Sequence, residues 1–122
     1  MHNSFKAKLK YKDAWVIGDL VYINDGKRLI PHIYGKGEVL QKSICAYTGK
    51  KANGKKIFSN DILRFCDDEG ELTDYIVFWD DSKSGFAVKE FERGLKDDLD
   101  DFFCTRSMVI GSVIDIQSNC NI

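Results

Sequence analysis

The sequence predicts one mainly β domain with a single short helix near residues 95–103. Three observations predict it. Apolar and polar residues alternate with period two over long stretches, as side chains do on a pleated strand. Clusters of Asn, Asp and Gly interrupt these runs at short intervals. Eight Phe, five Tyr and two Trp supply bulky side chains that favour strands and bury large areas. At 122 residues and 43% apolar content, the chain fits a single domain, 1–122, with a real core.

The elements follow in order. Residues 5–11, Phe-Lys-Ala-Lys-Leu-Lys-Tyr, alternate without a break and predict a half-buried strand. Lys6, Lys8, Lys10 and Lys12 then share one face, with no aromatic partner evident there. Residues 14–23 predict a second extended segment, broken at Gly18-Asp19. Asn24-Asp25-Gly26-Lys27 is a turn, because Asn, Asp and Gly tolerate positive φ. Residues 28–34 return as a strand that Pro31 confines to an edge or a bulge. Residues 38–41 and 43–47 carry strand-like content up to Tyr47-Thr48-Gly49. A basic loop then runs from Lys50 to Lys56 with Asn53-Gly54 at its tip.

Ile57-Phe58 leads through a polar corner, Ser59-Asn60-Asp61, into a strand at 62–65. Asp67 to Glu71 is an acidic turn. Tyr75–Trp79 is the most apolar run and predicts a strand buried on both faces. The turn at 80–85 folds 86–89 back as its hairpin partner. Leu95, Leu99, Phe102 and Phe103 recur at helical spacing after Gly94, with Asp97, Asp98, Asp100 and Asp101 on the polar side. Residues 108–114 predict the last core strand, and 118–122 a frayed tail.

Charge is uneven. Residues 1–60 hold twelve Lys or Arg against four Asp or Glu, and residues 61–122 hold six against fifteen. Strands of the two halves that interleave would pair these charges, whereas segregated halves would display a basic and an acidic surface. Cys45, Cys66, Cys104 and Cys120 are too widely spaced for a structural zinc site, so no metal is expected. Cys45 and Cys66 lie in apolar contexts and read as small core residues. The segment from Met1 to Lys6 has no apolar signal-peptide region, and no run approaches the roughly 20 residues of a membrane span. A cytoplasmic protein with free thiols is therefore expected, without membrane contact.

Catalytic patterns are lacking. His32 beside Pro31 and the terminal His2 form no Ser/His/Asp or Cys/His constellation. Gly49 and Gly54 have phosphate-loop spacing and Lys55 follows. Lys56, however, stands where a magnesium-binding Ser or Thr is needed, and a strand follows instead of a helix. The acids of 67–71 lack the alternating ligands of a calcium loop. No cofactor is implied. The one candidate binding feature is basic: Lys6, Lys8, Lys10 and Lys12 with Lys50, Lys51, Lys55 and Lys56, a polyanion footprint.

The run from Tyr47-Thr48-Gly49 through Asn53-Gly54-Lys55 and Ile57-Phe58 to Asp61-Ile62-Leu63 resembles the central block of the YopX family, small proteins of bacteriophages and prophages. Phe5-Lys6-Ala7 resembles the family's opening, and Val109-Ile110-Gly111-Ser112-Val113 its closing strand. The opening Trp-Asp pair and the final Asn-Pro are missing, and Asn60 replaces a Gly. The resemblance implies a mainly β protein with a small SH3-like, barrel-like sheet, and no catalytic residue. Tyr47, Thr48, Gly49, Asn53, Gly54, Asp61, Ile62 and Gly111 are then structural. The expectation is a non-enzymatic phage or prophage protein of the bacterial cytoplasm that binds a protein partner or a second copy of itself. A nucleic-acid-binding module using the basic half is the alternative.

Overall fold

The computed structural model describes residues 4–120. The chain is mostly β, 56% strand and 11% helix, with a curled half-barrel sheet and few short helices. It divides into two compact units, Met1–Tyr47 and Thr48–Ile122.

The first unit contains β1 (Phe5–Lys8), β2 (Trp15–Gly18), β3 (Leu20–Asn24), β4 (Leu29–Ile33) and β5 (Gly37–Glu38). A 3-10 turn at Gln41–Ser43 leads into β6 (Cys45–Ala52), which continues past the division between the units. β1 pairs antiparallel with β2 on one side and with Cys45 and Ala46 on the other, while β3, β4 and β5 form a separate sheet. The break between β2 and β3 falls at Asp19, as the sequence predicts. The turn at 24–27 is held by Asp25, whose Oδ1 accepts the amides of Lys27 and Arg28. Alternation sends Ala7 inward to join Ile33 and Val39, with Phe5, Leu9, Val16 and Leu20 packed around them.

Two expectations change here. β1 ends at Lys8, because the Lys10 amide turns aside to the Glu38 carbonyl and a tight bend follows. Pro31 lies in the middle strand, not at an edge. Its carbonyl accepts from Val39, just past the end of β5, so its missing N–H faces the place where pairing stops. The ladder with β3 loses nothing.

The second unit contains the rest of β6, then β7 (Lys55–Phe58), β8 (Asp61–Cys66), β9 (Leu72–Asp80), β10 (Gly85–Glu90) and β11 (Lys96–Asp98). Helix α1 (Asp101–Thr105), β12 (Ser107–Ser112) and helix α2 (Val113–Cys120) close it. Five strands form an antiparallel sheet in the order β11-β10-β9-β8-β12. One face carries Leu63, Val77 and Val88 into a core with Ala52, Ile57, Leu99 and Phe103. There Phe103 stacks on Phe65 at 4.7 Å and meets Tyr75 edge-on at 4.9 Å.

Several sequence expectations are corrected in this unit. The basic loop is a hairpin, since Asn53 and Gly54 both take positive φ, 51° and 79°, and turn β6 directly into β7. In the run Tyr75–Trp79 only Val77 is fully buried, Tyr75, Ile76 and Phe78 are half-buried, and Trp79 is 50% exposed, so the run is not buried on both faces. The short helix begins at Asp101 instead of Leu95. Pairing of Lys96–Asp98 with β10 claims the first part of the helical pattern, and the Asp100 side chain caps the helix by accepting the Phe103 amide. β12 stops at Ser112, and Val113 opens α2. Of the tail expected to fray, 118–122, residues 118–120 instead complete α2, while 121–122 and the terminal His2 lie outside the described residues.

Candidate functional site

The predicted lysines separate into different environments. Register places Lys8 opposite Trp15 and Lys6 opposite Ile17 on one face of the β1–β2 pair. Both ammonium groups therefore lie over the Trp15 ring, Lys6 at 4.6 Å and Lys8 at 5.7 Å from its centre. The sequence reading found no aromatic on that face, so Trp15 is a correction. The Lys8 side chain is only 14% exposed and also pairs with Asp13 at 2.8 Å. Lys10 pairs with Glu38 at 3.0 Å, and that hydrogen bond holds its pKa above the ordinary value. Lys12 leaves the row on the bend after β1.

In the second unit, Lys50 reaches Asp101 at 2.9 Å, which raises its pKa and lowers that of Asp101. Lys56 is half-buried, while Lys51 and Lys55 are exposed beside the Asn53-Gly54 turn. Four of the eight predicted cations, Lys6, Lys8, Lys10 and Lys50, are thus engaged by carboxylates or rings of their own unit.

The other family-block residues hold backbone. The Thr48 hydroxyl donates to the Ile57 carbonyl at 2.8 Å, and Gly49 has φ 88°. Tyr47 N–H donates to the Ser4 carbonyl. At the corner, Asn60 takes φ 69°, and the Phe58 amide donates to Asp61 Oδ2 at 2.8 Å. Asp61 is 1% exposed, so this carboxylate is a buried backbone clamp. Ile62 follows Asp61 in β8, and Gly111 sits opposite it beside a register shift in β12. His32 Nδ1 lies 3.3 Å from the Ile30 carbonyl. Burial pushes the Cys104 thiol up, away from the reactive thiolate. Among the described residues, no group of three or more His, Cys, Asp or Glu could hold a metal ion.

The feature that sequence reasoning missed lies on the sheet face opposite the ring-filled core. A cleft of about 1080 Å³ opens over β8, β9 and β12, bordered by the chain after β10 and the first turn of α2. Ile62, Leu72, Ile110 and Ile116 contribute apolar surface, and Phe91 stands at the border. One guanidinium–carboxylate fork crosses it, and a second stands at its border. Arg64 donates Nε and a terminal nitrogen to the two oxygens of Asp74 at 2.8 and 3.1 Å. At the border Arg93 does the same to Glu90 at 2.7 and 3.0 Å, with Glu90 opposite Tyr75 in the ladder and so on the ring-core side. Such bidentate pairs fix both side chains and hold each guanidinium more firmly protonated. The signal was in the sequence. Arg64 and Asp74 are equidistant from the centre of the acidic turn at Glu69, so a hairpin must set them side by side.

No helix among the described residues is long and apolar enough to cross a membrane. No curated protein and no solved structure matches the chain. The YopX protein family model matches residues 4–115, nearly the whole chain, and the chain therefore belongs to the YopX family.

Proposed function

We propose that this YopX protein is a non-enzymatic accessory protein of a phage or prophage that acts in the host cytoplasm by binding another protein. The observation that carries the reading is the cleft of the second unit. Its surface is apolar around the Arg64–Asp74 fork, whose two charges satisfy one another. Catalysis needs a nucleophile, an acid or a base poised beside a reacting atom. The fork instead supplies fixed shape within an apolar surface, the properties of a recognition site. The engaged lysines favour a protein over a nucleic acid, because a cation spent on its own carboxylate releases few counterions from phosphate.

The test is affinity capture with the full tagged chain from infected or lysogenic cells, followed by titration of the purified captured protein. A saturable complex that survives high salt is the expected result. Absence of any reproducible partner, together with strictly monomeric sedimentation, overturns the proposal. A gel-shift series beginning near about 50 mM salt separates the alternative, since phosphate contacts must weaken steeply as salt rises. We expect no shift at the lowest salt.

A further inference from the structure

We propose that the Asn53-Gly54 turn is a self-modification site, which converts without any enzyme to aspartyl and isoaspartyl forms, the isoaspartyl form loosening the β6–β7 hairpin. The inference stands apart from the binding reading and concerns the second unit alone. Asn53 and Gly54 are the one Asn-Gly pair of the sequence. Both are exposed and take positive φ, 51° and 79°. Among the described residues, no hydrogen bond engages the Asn53 side chain or the Gly54 amide nitrogen. Nothing lies within 4 Å of where a Gly54 Cβ would stand, so that nitrogen is open to approach. An exposed turn of this kind opens locally at little cost.

Asn is a thermolabile residue, and this turn supplies what its breakdown needs. The Gly54 nitrogen gives its proton to water and bonds to Asn53 Cγ. The bond from Cγ to the side-chain nitrogen breaks, and ammonia leaves with a proton from solvent. Water then opens the succinimide ring. Opening at the side-chain carbonyl leaves an aspartyl residue. Opening at the main-chain carbonyl leaves an isoaspartyl residue, whose backbone runs through Cβ. Glycine has no side chain to obstruct the attacking nitrogen. The exposed Lys51 and Lys55 on either side of the turn favour its anionic form.

Other turns lack these conditions. The nitrogen that would attack Asn24 belongs to Asp25 and donates to the Arg28 carbonyl. The Gly26 amide is held by Asn24 Oδ1 at 2.8 Å, and the Asp25 carboxylate beside it is kept ionised by the Lys27 and Arg28 amides. The nitrogen that would attack Asn60 belongs to the buried Asp61. At position 53 an aspartyl residue adds one carboxylate to a basic loop and keeps the backbone. An isoaspartyl residue lengthens a turn whose paired positive φ values match the twist of its strands. Those strands carry Ala52 and Ile57 into the ring core, so the longer turn disturbs both.

Incubation of the full chain in warm, mildly alkaline buffer, with an ammonia assay and peptide mapping by mass spectrometry, tests this. Position 53 should convert about tenfold faster than Asn24 or Asn60, or more. Hydroxylamine, which cuts a succinimide, should split the chain between positions 53 and 54. Asn53→Gly makes a Gly-Gly turn that keeps the positive φ, so it should fold normally and release no ammonia from this site. The separated isoaspartyl fraction should unfold at lower urea than Asn53→Asp, which carries the same charge on an unaltered backbone. Equal rates at the three asparagines, or ammonia release unchanged in Asn53→Gly, overturn the site. An isoaspartyl fraction as stable as Asn53→Asp overturns the loosening of the hairpin.

Discussion

In the first unit the core is aliphatic, with Ala7, Ile33 and Val39 at its centre, and the charged side chains are spent locally. Lys6 and Lys8 lie over Trp15, and Lys10 is tied to Glu38. In the second unit the core is built on rings, and the charged pair Arg64–Asp74 stands within an open apolar cleft. The same alternating pattern underlies both. The difference is what the polar face meets: in the first unit a neighbouring ring and carboxylate, in the second a concavity wide enough for an occupant. A charge row in a strand therefore says little about binding until register shows what lies across from each charge.

The ring core is the part of the comparison that can be broken hardest. Phe103 is 4% exposed and holds Phe65 and Tyr75 together, so Phe103→Ala should cost about 3–5 kcal/mol in urea unfolding. Trp15 and Trp79 give each unit its own fluorescent reporter once the other is replaced by Phe. Because β6 belongs to both units, we expect one midpoint on both reporters, shifted together by the substitution. Two midpoints would divide the chain into separate folding domains.

Next in size is the corner of the second unit. Asp61→Ala leaves the buried Phe58 amide without its acceptor, which should cost about 1.5–3 kcal/mol by the same measurement. Asp61→Asn keeps an acceptor oxygen and should recover part of that loss. If both variants melt like the wild type, the clamp has no energetic role.

Much of this was legible because it is local. The turn at 24–27, the break at Asp19, the corner at Asn60-Asp61 and the hairpin at 80–85 each depend on residues a few positions apart. What was not legible depends on pairing over longer distance. Leu95, Leu99, Phe102 and Phe103 do have helical spacing, but cross-strand pairing of Lys96–Asp98 with β10 overrides it. Trp15 reaches the lysine face only through the β1–β2 register. The cleft needs β8, β9, β12 and α2 at once, and no local pattern encodes four elements meeting.

Two glycines sharpen the contrast between the units. A Cβ at Gly18 would lie 2.9 Å from Ile33 Cγ2, deep in the aliphatic core. Gly18→Ala should therefore cost about 1–3 kcal/mol, towards the lower end because a small shift of Ile33 relieves the clash. Gly111, in the family's closing strand, has nothing within 4 Å of such a Cβ. Gly111→Ala should stay within about 0.5 kcal/mol of the wild type. Equal losses at both sites would mean that Gly111 is kept for its backbone and not for space.

The smallest expected effect is a pH dependence at the β9–β10 turn. Asp80 Oδ1 accepts both the hydroxyl and the amide of Ser82, at 2.7 and 3.0 Å, and the hydroxyl bond contributes most to holding its pKa below the ordinary 3.8. A carboxylate depressed on folding adds stability above its unfolded pKa and loses it as pH falls through the folded value. The wild type should therefore lose this increment only below about pH 4, while Asp80→Asn, which cannot ionise, should lack it at neutral pH. Stability measured against pH should then bring the two curves closer together on acidification. Parallel curves from neutral pH down to pH 3 would show that the turn is held by its backbone alone, as the exposed Lys83 and Ser84 amides bonded to the Asp80 and Asp81 carbonyls would then have to account for it.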